Sequence, residues 1–461
     1  MEAIEDVDYL VVGAGAMGMA FADALTTAAD VSVAIVDRRH GAGGHWLDAY
    51  GFVRLHQSSA FYGVASTLLG GGRVQAEGPE RGLHERASAA EVSEYYARVL
   101  ARLTATGRVV FHGRSAYLGD RRFESLLSGI RFHSPRARVV DARYLSPDIP
   151  SLTAPPFAVE EGARVIPVNE LVRITHAPER YAIVGAGKTA TDTCVWLLQN
   201  GVSPNAITWV RPRDPWLLNR AVVQPDPAVF LGMAADTMEA AAQATSPDDA
   251  FFRMEDAGIM LRIDRSVTPT MAKTPTLATW ELDLARTIDD VVRRGHLLAV
   301  APGRLAFADG DVRVPADTLV VHCAAEGLKY PGLRPIWTPE AITPQPVRVG
   351  FPCYGAALAG YVEATRDDDA EKNRVCRPSP YSNTPADWAA MQTIGGDASL
   401  AMSKETDLRA WSNATALNPA RIPPDRVDDP AVLAATARLK EHIGAGRARL
   451  AEFARQAGGD R

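Results

Sequence analysis

Two short glycine turns constrain this 461-residue chain more than any other feature. The first reads Gly13-Ala14-Gly15-Ala16-Met17-Gly18 and the second Gly185-Ala186-Gly187-Lys188-Thr189-Ala190. Each follows a continuous apolar run, Tyr9-Leu10-Val11-Val12 or Tyr181-Ala182-Ile183-Val184, and each precedes a helix-like stretch. An unbroken apolar run suits a strand buried on both faces. A glycine turn from such a strand into a helix opens a β-α-β unit with parallel strands and a right-handed crossover. Two of them predict an α/β chain with two parallel sheets.

In the first turn, Gly13 permits the bend, Gly15 lets a pyrophosphate approach the backbone, and Gly18 lets helix and strand pack closely. The helix N-terminus offers free N–H groups and partial positive charge to phosphate. The next apolar run, Val31 to Val36, ends at Asp37, at the spacing of a ribose ligand, with Arg38 beside it. The second turn departs from the pattern at Ala190, a tolerated replacement, while Lys188 and Thr189 can add donors. Its following strand, 206–210, ends not in an acid but in Arg211-Pro212-Arg213. Basic residues there favour a 2′-phosphate, hence NADP over NAD. Two dinucleotide units in one chain fit electron transfer from a nicotinamide to a flavin.

Composition narrows the class. Hydrophobic residues make up 47% and charged residues 23%, ordinary for a globular protein, and the net charge is -6. That balance argues against nucleic acid or an anionic membrane as the main partner. The four cysteines, Cys194, Cys323, Cys353 and Cys376, include no C-x-x-C pair. Neither a redox dithiol nor a zinc site is expected, so no metal is. An acidic N-terminus without a basic n-region, and scattered single cysteines, predict a cytoplasmic location.

After the first unit comes Gly43-Gly44-His45-Trp46, and then Val53-Arg54-Leu55-His56-Gln57. With the two glycine turns, these segments resemble the class B flavoprotein monooxygenases, over about residues 8–365. The resemblance implies FAD on Gly13, Gly15, Gly18, Asp37, Arg38, Gly44 and Trp46. It implies NADPH on Gly185, Gly187, Lys188, Thr189, Arg211 and Arg213. It also implies transfer of one oxygen atom from O2 to a small molecule by way of a flavin peroxide. Trp46, His56 and Gln57 are expected near the flavin ring, His56 and Gln57 as catalytic donors, with Asn219 and Arg220 as weaker candidates. Asp317 to Gly327 resembles the strand and small-residue turn that returns the chain to the flavin, with Gly327 as a contact. The F-x-G-x-x-x-H-x-x-x-W/P fingerprint of Baeyer–Villiger enzymes is not found, which argues against ketone-to-ester chemistry. An NAD(P)H-dependent flavin oxidase or reductase, or a non-catalytic flavin-binding protein, remains open.

The implied architecture is two nested three-layer Rossmann-like domains with a helical C-terminal extension. The FAD domain is expected over 1–170 and 315–365, and the NADPH domain over 178–314 with a helical insertion at 214–294. The extension, 366–461, is expected to pack over the FAD domain or line the substrate pocket. Antiparallel hairpins are expected over 107–141 and a β-meander over 298–315.

Overall fold

The computed structural model describes residues 2–459 apart from Glu326, Leu328 and Val349. Its first parallel sheet has the order Arg138–Asp141, Tyr9–Val12, Val33–Val36, Val109–His112. The expected hairpin group over 107–141 is therefore corrected at both ends. Only Ser115–Gly119, Arg122–Ser125 and Arg131–His133 are antiparallel, while the flanking segments join the parallel sheet. The physical reason is burial: Val139 and Val140 are as enclosed as Val33, so the strand sits inside the molecule.

One face of this sheet carries the helix Ala16–Ala28, which is crossed by the helix Pro352–Thr365. The other face packs Leu10, Val12, Ala34 and Val36 against Phe123 of the antiparallel strands. The unit thus has three layers, with β-strands rather than a helix as the third.

The second sheet repeats the plan. Its order is Arg164–Pro167, Leu319–His322, Tyr181–Val184, Ile207–Val210, Val291–Val292, all parallel. The helix Lys188–Gln199 covers one face, and Gly201, at φ +83°, turns the chain out of it. The expected meander, Ala299–Ala301, Arg304–Phe307 and Gly310–Arg313, packs with Phe157 on the other face. The domain expectation needs correction here. Residues 164–167 and 319–322 were expected in the FAD unit, yet they pair with each other and with Tyr181–Val184 in the second sheet.

The insertion holds the helices Pro227–Gln243, Pro247–Asp256 and Thr279–Ala285. The C-terminal helix Pro430–Gly459 lies along Pro227–Gln243. Trp216, Phe251 and Met254 of the insertion share a core with Trp388, Leu450 and Phe453. The C-terminal helix thus packs on the insertion, while Val375, Cys376, Met402, Leu408 and Leu417 share a core with Tyr354 and Leu358 of the first unit, and Trp411 stacks on Tyr361 at 5.1 Å. Further ties to the first unit include Tyr354 Oη with Ser412 Oγ at 2.7 Å and Lys372 Nζ with Glu363 Oε2 at 2.7 Å. Among the described residues, no helix is long and apolar enough to cross a membrane.

Two helix glycines give opposite expectations. A Cβ on Gly360 would stand 2.4 Å from the Phe21 carbonyl oxygen, whereas one on Gly444 would meet nothing within 4 Å. Gly360→Ala should force the crossing helices apart and destabilise by about 1–3 kcal/mol. Gly444→Ala should stabilise by about 0.5–1 kcal/mol through helix propensity. Urea unfolding midpoints of the two variants should move in opposite directions from wild type.

Candidate active site

The first glycine loop is tied on both sides. Gly13, at φ +107°, donates its N–H to Val36 O at 2.8 Å. A Cβ on Gly18 would fall 1.9 Å from Gly13 O, so only glycine fits. The following helix begins without a side-chain cap, which leaves its first N–H groups to an external anion. Asp37 is buried and accepts from Ala14 N at 2.7 Å and Arg39 N at 2.8 Å. A carboxylate has about four acceptor positions, so two remain for ribose hydroxyls. Arg38 is exposed beside it.

Gly43 and Gly44 turn at φ +127° and +59° and lie directly on this loop. Gly43 N donates to Ala14 O at 2.8 Å, and a Cβ on Gly44 would stand 2.8 Å from Gly15 Cα. Two backbones meet with no room for a side chain on Gly44. A pyrophosphate that reaches the first loop therefore also meets the second. Trp46 is buried, with its indole N–H donated to Tyr62 Oη at 2.6 Å, so it anchors the turn from within the core.

From there the chain crosses to the second unit. Tyr50 Oη donates to Asp192 Oδ2 at 2.7 Å, and Phe52 stacks on Trp196 at 4.6 Å. His56 Nδ1 lies 3.2 Å from Thr276 O. A carbonyl only accepts, so Nδ1 carries the proton and Nε2 is left as an acceptor. Burial, reinforced by the Lys188 charge, holds His56 well below the usual histidine range, so it is neutral at pH 7. Its carbonyl accepts from Arg220 Nε and Thr276 Oγ1. Gln57 is half-buried beside it.

Behind His56 sits a closed cluster of four charges. Arg220 bridges Glu80 and Glu281, each at 2.7 Å, and Arg86 pairs with Glu80. All four side chains are less than a tenth exposed. Removing one partner of such a pair leaves a buried charge unmatched and costs about 3–5 kcal/mol. Arg220 is therefore a positioning residue for the His56 backbone. Asn219 is likewise engaged, since it accepts from Ala221 N at 3.0 Å and donates to Gly258 O at 2.8 Å. Each end of the amide makes one bond to local backbone, which fixes its orientation and leaves one N–H free to donate.

The second glycine loop is more open. Gly185 turns at φ +138°, and Gly187 is exposed with nothing within 4 Å of an added Cβ. Lys188, expected to reach a phosphate, instead turns back one helical turn to pair with Asp192. Thr189 is half-buried at the helix start. Arg211 and Arg213 part company. Arg213 donates to Asn383 Oδ1 at 2.9 Å. Arg211 is 1% exposed, pairs with Asp214 at 2.8 Å and lies over the Trp209 ring. Its Nε and Nη1 find no hydrogen-bond partner among the described residues. It lines a cavity of about 480 Å³ at the ends of Ile207–Val210 and Val291–Val292, together with Arg286 and Arg293. These two arginines come from distant segments and carry no local motif. Asp192, four residues after Lys188, is placed on the same helix face by helical periodicity. Gly327 is exposed, and its neighbour Glu326 lies outside the described residues. Among the described residues no cluster of His, Cys, Asp and Glu could hold a metal ion.

Comparisons with known proteins bear on this geometry. Residues 11–57 match the NAD(P)-binding Rossmann-like domain family. Uncharacterized protein Rv2000 of Mycobacterium tuberculosis is 40% identical over 417 residues, 90% of this chain and 78% of that protein. Uncharacterized protein Mb2023 of Mycobacterium bovis matches to the same extent. This chain belongs to their family. Solved structures with a looser likeness include an oxidised steroid monooxygenase bound to NADP, at 12% identity and TM-score 0.49, with 98% of each chain covered. Another is the NADP-bound cyclohexanone monooxygenase of Rhodococcus sp. Phi1, at 15% identity and TM-score 0.45, covering 97% of this chain and 98% of that one.

His45, between Gly44 and Trp46, gives a pH test of the first site. Burial, aided by Arg39, pushes its pKa down from 6.5 to about 4. As pH falls below 6.5 the unfolded chain binds a proton that the folded chain refuses until about pH 4. Folding stability is thus complete above pH 6.5 and declines towards pH 4, by up to about 3 kcal/mol from this group. Urea titrations from pH 7 to 4.5 should show a shallower decline in His45→Asn than in wild type. Equal slopes would mean that His45 is not the buried neutral group described.

Proposed function

We propose that this protein is an FAD-dependent, NADPH-consuming monooxygenase that transfers one oxygen atom from O2 to a small molecule. The observation that carries this reading is the path of residues 43–57. The segment lies on the first glycine loop at Gly44 and on the helix of the second at Tyr50 and Phe52. A chain that connects two dinucleotide loops in this way suits two cofactors that react with each other. The residues fit the pair: uncapped helix starts for both pyrophosphates, spare Asp37 acceptor positions for a ribose, and unpartnered Arg211 nitrogens for a 2′-phosphate.

On this reading the FAD unit comprises residues 2–141 and 336–365, and the NADPH unit 158–322. FAD, when bound, supplies hydride acceptance from NADPH and the reaction of the stored electrons with O2. The protein's part is placement and dryness. The backbone contact of Gly44 on Gly15 sets the pyrophosphate path. His56 stays neutral with Nε2 as an acceptor, and Gln57 beside it supplies an amide. The four-charge cluster keeps the His56 carbonyl fixed without adding net charge near the reacting groups.

Two glycine variants separate the cofactors. Gly187→Leu should fold normally, since its side chain meets open space, yet lose reduction by NADPH. Gly15→Leu should lose FAD, read as flavin absorbance per protein after dialysis, with circular dichroism as the fold control. Full FAD occupancy in folded Gly15→Leu rules out the first assignment.

Cofactor preference follows from Arg211. A charge-assisted contact is worth about 1.5–3 kcal/mol, so Arg211→Ala should lower the NADPH-to-NADH ratio of kcat/KM roughly 10- to 100-fold. Arg213→Ala should leave the ratio near wild type. The oxygen step is tested with 18O2 and a panel of small amines, sulfides and aromatics. Product carrying one labelled atom is expected. NADPH oxidation that always returns stoichiometric hydrogen peroxide would instead assign an oxidase.

A further inference from the structure

A second cavity, of about 340 Å³, lies beyond the carboxyl ends of both parallel sheets. Tyr144 and Leu145 reach it from just past Arg138–Asp141, and Lys329 to Leu333 from past Leu319–His322. Gln345 and Pro346 enter from ahead of the helix Pro352–Thr365, and residues 379–387 from the lead into Pro385–Ser403. Ligands of open parallel sheets gather beyond the carboxyl ends of the strands. This space is common to the two sheets.

Its walls are aromatic and electrically spent. Tyr144, Tyr330 and Tyr381 provide ring surface, and Pro331, Pro346 and Pro380 provide rigid apolar surface. Both charged residues that line it are already engaged. Lys329 pairs with Asp148 at 3.2 Å, and Asp387 accepts from Thr384 N at 3.1 Å as part of a helix cap. A charged ligand would lose its hydration without gaining a free counter-ion. Two tyrosine hydroxyls are committed as well, Tyr144 to Gly332 O at 2.6 Å and Tyr330 to Ser382 O at 3.2 Å. Gln345 donates its Nε2 to Arg334 O at 2.9 Å, which leaves Oε1 as an acceptor. Tyr381 Oη has no hydrogen-bond partner among the described residues and is left as a donor. The volume is near the lower end of the range for small-molecule sites, roughly 300–1,000 Å³.

We propose that this cavity binds a neutral, flat aromatic molecule of one or two rings with a single hydrogen-bonding group, held between Tyr381 Oη and Gln345 Oε1. Resting on the monooxygenase reading, that molecule is the one oxygenated.

The test uses FAD-loaded full-length protein and three probes of one skeleton: 2-naphthalenemethanol, 2-naphthoate and 2-naphthylmethylamine. Equilibrium dialysis at pH 7 should show the neutral alcohol bound at least 10-fold tighter than either charged probe. Tyr330→Ala and Tyr381→Ala should weaken it at least 10-fold. Tyr381→Phe, which keeps the ring and removes the hydroxyl, should weaken it several-fold while melting like wild type. Equal or tighter binding of a charged probe overturns the proposal, as does unchanged affinity in Tyr381→Phe together with either alanine variant. So does loss of alcohol binding when apoprotein is loaded with FAD, because the cavity would then be the flavin's own bed. Tight alcohol binding with no oxygenated product keeps the site and removes the monooxygenase reading. Oxygenation of an aromatic at wild-type KM in both alanine variants keeps the enzyme and removes the site.

Discussion

The backbone of Gly44 lies so close to that of Gly15 that a methyl group on Gly44 would stand 2.8 Å from the Gly15 Cα. Much of the candidate site follows from that contact. It sets where the chain leaves the first glycine loop and the direction in which it goes. Within a dozen residues the same segment has placed Trp46 in the core, joined Tyr50 to Asp192 and brought His56 against the insertion. A side chain at Gly44 would push the two turns apart and shift each of these contacts in turn.

The second constraint is electrostatic. Residues 55–56 are held by backbone hydrogen bonds from Arg86 and Arg220, whose guanidiniums are closed off by Glu80 and Glu281. Two cations and two anions in one buried group carry no net charge. Such a group is weak evidence for stability but strong evidence for a defined arrangement, because any displaced member is left unmatched in a poor solvent for ions. It also joins segments from three parts of the chain, so the His56 loop cannot shift unless the insertion shifts with it.

What was legible in the sequence was local. The two strand–glycine–helix units, Asp37 at the end of its strand and the 298–315 meander were each readable within about 30 residues, because turn chemistry and apolar runs act over that range. Gly44 was legible too, although its reason, contact with Gly15, is not. What depended on partners far along the chain was not readable. Arg164–Pro167 is a partly exposed edge strand, placed only by its pairing with Leu319–His322, more than 150 residues away. Asn219 and Lys188 had the right chemistry but spend it on Gly258 and Asp192. Arg211 and Arg213 are two positions apart and would share a face in an extended strand, but the chain leaves the strand after Val210 and bends at Pro212 and Arg213, so they face different surroundings.

The distribution of satisfied and unsatisfied polar groups then divides the molecule by chemistry. Around His56 and the 340 Å³ cavity, charges are matched and the histidine is neutral. At the 480 Å³ cavity, two buried Arg211 nitrogens have no hydrogen-bond partner among the described residues, and Arg265, Arg286 and Arg293 line it together with Asp264 and Asp289. An unpaired buried donor costs about 1–3 kcal/mol, and more when the group is charged, so a water or an anion that reached these nitrogens would lower that cost. An anion at the second site would supply that partner, while the neutral region asks for nothing charged. A single chain thus offers one place suited to hold a phosphate tightly and another suited to hold an uncharged ring. Under the proposed monooxygenase reading, the two regions would serve different molecules, a phosphorylated electron carrier at one and an apolar substrate at the other.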